Sequence, residues 1–173
     1  MDKSNYLRSL ISHDGMKDSL TGLYSLPAFL ESATREMKVA IRTGSNLNLF
    51  LVSLVEVNEV KPNQLVMREG IELSEKTEAE LDLLAGRVRV IAHVLREELR
   101  EVDLIARYTF TEFLIMNIGD ISGVRERIES IVREYRALVV GLEITPRRSN
   151  SSEDEPTLAS LISILEERAQ ASL

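Results

Sequence analysis

Residues 103–117 read Asp103-Leu-Ile-Ala-Arg107-Tyr108-Thr109-Phe110-Thr111-Glu112-Phe113-Leu-Ile-Met-Asn117, two β-prone segments around a tight reversal. A reversal that held a nucleotide would need glycine, so that its backbone could come close to a phosphate or base. It would also need neighbouring carboxylates to hold magnesium. This one carries Phe110 between Thr109 and Thr111 and offers neither. Just upstream, Arg100-Glu101-Val102-Asp103 supplies a different chemistry. A guanidinium donates paired hydrogen bonds to a phosphate or a guanine edge, and a carboxylate accepts from N–H groups.

Other reactive side chains are few. The chain has no cysteine and two histidines, which removes thiolate nucleophiles, disulfides and a histidine-rich metal centre. His93 falls within a helical pattern and reads as a face residue. With 21 basic and 28 acidic residues the net charge is −7, which argues against non-specific nucleic-acid binding. A local arginine cluster can still hold one anionic ligand. No run approaches the roughly 18 apolar residues of a membrane span, and the first residues lack the order of a secretion signal. The expectation is a cytoplasmic protein without a membrane span.

The elements that must position these groups follow from periodicity. At 173 residues the chain suits one core. Residues 1–16 are a lead-in, helical over 5–16 and suited to a linker or dimerising arm; 17–173 form the domain. Gly22 marks a turn. Ser25 caps a helix with Pro27 in its first turn, and Phe29, Leu30, Ala33, Met37 and Ile41 form its apolar stripe up to Gly44. Residues 47–57 are nearly all apolar, as in a central strand covered on both faces, with Glu56 at the end where sites form in layered folds. An irregular stretch, 58–74, precedes a helix over 75–101 with Leu81, Leu84, Val88, Ile91, Leu95 and Leu99 inward. The hairpin 104–117, a helix over 121–136, a strand over 137–144 and a polar loop over 146–156 follow. Asp154 could cap a final helix. The order implies an α/β fold with a mostly antiparallel sheet.

On these residues the chain resembles a GGDEF domain, the diguanylate cyclase fold related to the palm of nucleotide cyclases, over about residues 16–172. Asp18-Ser19-Leu20-Thr21-Gly22-Leu23 matches the family's opening Asp-x-Leu-Thr-Gly-Leu, and Arg107-Tyr108 its arginine and aromatic before the signature. The resemblance implies a palm with a central, mostly antiparallel five-stranded sheet flanked by helices, and a structural pairing of Asp18 with Arg107. The signature itself falls on Thr109-Phe110-Thr111-Glu112-Phe113, so Thr111 stands where the family places a metal-binding acid. Glu56 stands at the family's other acid, within Glu56-Val57-Asn58-Glu59-Val60-Lys61; Asn58 keeps only its place there. Lys61 matches a phosphate-contacting lysine, Gln64 replaces a base-reading asparagine, and Glu167-Arg168-Ala169-Gln170 replaces Tyr-x-Ala-Lys. Phe110 is either a plug in the vacated space or a contact for a partner, and a bare aromatic at a turn tip favours the contact.

Joining two GTP molecules needs metals to neutralise developing charge. The expectation is therefore no enzyme, no catalytic residue, no metal and no cofactor. Arg100 and Asp103 stand five residues before the signature, where relatives hold an inhibitory cyclic di-GMP site, with Arg133 near the place of a second arginine. The resemblance then implies an inactive signalling protein that binds cyclic di-GMP and an effector protein, or pairs as a homodimer. The alternatives are a ligand-independent interaction module, with Arg100 and Asp103 a helix-end charge pair, and GTP binding without cyclisation through Glu56 and Lys61.

Overall fold

The computed structural model describes residues 10–54, 75–144 and 157–172. Glu56, Asn58, Lys61, Gln64 and Asp154 lie outside them. The chain order is α1 (Leu26–Thr43), β1 (Leu47–Leu54), α2 (Glu75–Glu98), β2 (Leu104–Arg107), β3 (Glu112–Ile118), α3 (Ile121–Tyr135), β4 (Ala137–Ile144) and α4 (Leu158–Ala171). Among the described residues the sheet has four strands in the order β2-β3-β1-β4, against the five expected, and every pairing is antiparallel.

Local chemistry sets the boundaries. The Ser25 side chain accepts from the Ala28 N–H, Pro27 occupies the first turn, and Gly44 closes α1 at φ 69°. Asp120 caps α3 by accepting from the Ser122 N–H. The cap of α4 is Thr157, which accepts from Ser160 N–H; it lies one residue before the helix, closer than the expected Asp154. The lead-in also differs. Helix ends at Ile11, because the Asp14 carboxylate accepts from the Met16 and Lys17 N–H groups and Gly15 turns at φ 100°.

β1 is covered on both faces. Phe50, Val52 and Leu54 join Phe113, Ile115, Val88, Ile91, Leu95, Val124 and Ile128 in a core beneath α2 and α3. Leu49 and Leu51 join Leu114, Met116, Phe29, Ala33, Leu161 and Leu165 beneath α1 and α4. This is the period of two that a buried strand requires, read into two helical layers. No helix among the described residues is long and apolar enough to cross a membrane.

Gly141 of β4 pairs with Phe50 of β1. A Cβ there would stand 2.8 Å from Phe50 Cδ1. Since Phe50 is only 1% exposed, its ring has nowhere to go. Gly141→Ala is expected to destabilise the fold by about 1–3 kcal/mol in urea unfolding, as overpacked cores do.

Candidate functional site

The hairpin β2–β3 and the segments that touch it form the candidate site. Asp18 opens a closed turn: its N–H donates to the Leu23 carbonyl, and its Oδ1 accepts from the Thr21 N–H and hydroxyl. Gly22 adopts φ 67° there. Arg107 reaches this turn from the end of β2. Its Nε donates to Asp18 Oδ2 at 2.9 Å, and Nη2 donates to the same oxygen and to the Leu10 carbonyl. Both side chains are buried. Tyr24 N–H donates to the Ile105 carbonyl, and Arg96 Nη2 to the Thr21 carbonyl. The expected pairing therefore fastens the opening motif to the hairpin and to α2.

At the tip, Phe110 is 3% exposed and belongs to the core beneath α2 and α3. This corrects the partner-contact expectation. An aromatic ring gains more from leaving water than a turn tip gains from displaying it. The Arg107 guanidinium carbon lies 5.8 Å from the ring centroid, within cation–π range. Thr111 is also buried, and its carbonyl accepts from the Leu54 N–H. Glu112 is held on two sides, Oε1 accepting from the Ser53 hydroxyl and Oε2 from the Thr109 hydroxyl. Positions 109–112 thus serve each other and the sheet.

Tyr108 ties the hairpin to the opposite layer, its hydroxyl donating to Glu166 Oε1 at 2.6 Å. Burial, followed by the bond to Glu166 and the nearby charges of Glu166 and Glu112, pushes the phenol from 10.0 up to about 12. Because the folded value lies above the unfolded one, the contribution to stability is complete below pH 10 and is lost as pH rises through about 12. Ultraviolet titration should show one of the four tyrosines ionising near pH 12. Tyr108→Phe should remove that step, together with the extra loss of stability between pH 10 and 12.

Arg100 and Asp103 close one turn, the Asp103 N–H donating to the Arg100 carbonyl at 2.9 Å. Their side chains part company. Arg100 is exposed, whereas Asp103 is buried, Oδ2 accepting from the Arg100 N–H and Oδ1 from Asn117 Nδ2 at 2.6 Å. Asn117 in turn accepts from Asn48 Nδ2, which also donates to the Gly119 carbonyl. Sequence reasoning missed this chain of buried polar groups. Its signal was two asparagines inside apolar strands, which the register places opposite each other.

Arg133 is exposed in the last turn of α3. Arg100 lies at the other end of that helix, close enough for its charge to help hold the Asp120 carboxyl below the ordinary range, after the larger effect of the Ser122 hydroxyl and N–H. Thirteen residues separate Asp120 from Arg133, roughly 20 Å of helix, so the two arginines are not brought together. Arg127 comes nearer, donating to the Glu98 carbonyl at the end of α2. In α4, Arg168 donates to the Gly141 carbonyl. No group of three His, Cys, Asp or Glu residues placed to hold a metal occurs among the described residues.

No family model matches the sequence, and no curated protein matches it. Solved structures do. The GGDEF domain of DgcB from Caulobacter crescentus, in complex with c-di-GMP, is 19% identical with a TM-score of 0.57, over 92% of this chain and 94% of that one. The FimX GGDEF domain from Pseudomonas aeruginosa is 15% identical with a TM-score of 0.58, over 90% and 94%. Diguanylate cyclase SiaD from Pseudomonas aeruginosa, in complex with its activator SiaC, is 19% identical with a TM-score of 0.61, over 98% of this chain and 62% of that one. Sheet order, helical layers and these likenesses agree: the chain has the fold of a GGDEF domain.

Proposed function

We propose that this chain is a GGDEF-fold signalling module that acts by binding and does not join two GTP molecules. The observation that carries the reading is the burial of Phe110 and Thr111 at the hairpin tip. A turn without glycine does not let its backbone come close to a phosphate, and a threonine hydroxyl brings no charge to a metal. Glu112, the acid that remains there, already accepts from two hydroxyls. A protein partner is the favoured ligand, because the pair at residues 100 and 103 offers a nucleotide only one of its two side chains. Calorimetric titration with GTP and magnesium should give no heat; a saturable heat from GTP would overturn this reading.

A cyclic di-GMP receptor centred on Arg100 is the second reading. It is supported by the exposure of the Arg100 guanidinium, its spacing from the hairpin, and the likeness to a GGDEF domain solved with c-di-GMP. Against it stand the protein bonds that occupy both Asp103 oxygens and the distance of Arg133. Binding of cyclic di-GMP that Arg100→Ala abolishes would establish the receptor. Absence of heat from the dinucleotide leaves the protein-binding module.

A further inference from the structure

The sheet ends differently on its two sides. β2 is four residues long, and Tyr24 covers its outer side, bridging to Ala106 and donating its N–H to the Ile105 carbonyl. β4 is eight residues long and has β1 as its only strand neighbour among the described residues. The ladder shows which of its backbone groups are left over. Leu54 N–H donates to the Thr111 carbonyl and Gly119 N–H to the Asn46 carbonyl, so the even positions of β1 face β3. Its odd positions therefore face β4, where they meet Leu138, Val140, Leu142 and Ile144. The backbone groups of Val139, Gly141 and Glu143 point away from the sheet, because successive residues of an antiparallel strand alternate in direction.

Within β4 itself the usual protections of an edge are absent. It has no charge and no proline from Ala137 to Leu142, and its register against β1 runs one to one without a bulge. Such an edge accepts an extended chain, whose main-chain groups continue the ladder while its side chains set the choice of partner. Two arginines define that choice. From one layer, Arg168 of α4 donates to the Gly141 carbonyl at 3.0 Å. From the other, Arg125 of α3 brings Nη2 to 3.5 Å from the place of a Cβ on Gly141. Both are exposed, and neither has an ion-pair partner among the described residues. Glu143, the acid of this strand, already accepts from Asn46 Nδ2. Two β4 edges paired about Gly141 would set these arginines against one another. A strand with two consecutive acids instead sends one carboxylate to each face, toward Arg168 and toward Arg125. We infer that β4 receives an extended acidic segment of a partner protein as an added strand. The inference rests on the binding-module reading and names the surface and the class of partner.

Fluorescence anisotropy of the labelled peptide Thr-Val-Thr-Glu-Glu-Val-Thr, titrated with the full chain, tests this. Saturable binding that weakens with salt is expected. Arg168→Glu and Arg125→Glu should each weaken it by about tenfold or more, with thermal unfolding showing that each variant is folded. Amide hydrogen exchange at Val139, Gly141 and Glu143 should slow in the complex, as new main-chain bonds require. The same peptide N-methylated throughout keeps its charges but loses every main-chain donor, and it should not bind. Absence of binding by the wild type, equal binding of the N-methylated peptide, or self-association of the chain that the peptide does not displace would each overturn the inference. None of these results touches the binding-module reading, which the GTP titration tests separately.

Discussion

Asp18→Ala is expected to destabilise the protein by about 3–5 kcal/mol, the cost of leaving a buried charge without its partner. Arg107 is 7% exposed, and its Nη1 has no hydrogen-bond partner among the described residues. Its remaining bonds go to Asp18 and the Leu10 carbonyl. Removing the carboxylate leaves the guanidinium with one neutral acceptor and the face of Phe110. The change also frees the Thr21 N–H and hydroxyl, which Asp18 Oδ1 now accepts. The double variant Asp18→Leu with Arg107→Met should recover much of the loss, because it removes both buried charges at once. Urea unfolding of the two singles and the double measures this coupling. Additive losses would show that the pair is not coupled.

Phe110→Ala should cost a similar amount, about 3–5 kcal/mol, as for other large aromatic truncations in a core. The ring lies in one cluster with Leu54, Phe113, Val88 and Leu95, all almost fully covered. Those side chains come from a helix and two strands, so the space cannot close by moving one of them. Phe110→Gly should cost still more, since it adds backbone freedom to the unfolded chain. Neither change should create cyclase activity, because Thr111 still lacks a charge. Val102→Ala is the control. Val102 is 79% exposed in the neighbouring turn, and a surface change of this kind stays within about 0.5 kcal/mol.

Much of the scaffold was legible from local chemistry. Ser25, Pro27 and Gly44 bound α1 as their side chains and backbone preferences require, and the apolar run from Leu47 reads as a strand covered twice. The Asp18–Arg107 pair followed from the resemblance and is present in the fold. Three features were not legible, for a common reason. Whether Phe110 faces solvent depends on the distance from β2–β3 to α2, which no local pattern encodes. Asp103 reads as an exposed turn acid until the partner Asn117, fourteen residues later, is placed beside it. Arg133 seemed close to Arg100 only while the length of α3 was left out. Each is a matter of long-range geometry, where one side chain's surroundings are decided by another element.

We propose that the hairpin tip, packed into the core at Phe110, does not serve a nucleotide. Incubation of highly purified protein with GTP and magnesium, followed by ion-exchange chromatography, tests it most directly. GTP should be recovered intact, with no cyclic di-GMP peak. Synthesis of the dinucleotide above the buffer background, lost on Glu112→Gln, would contradict it.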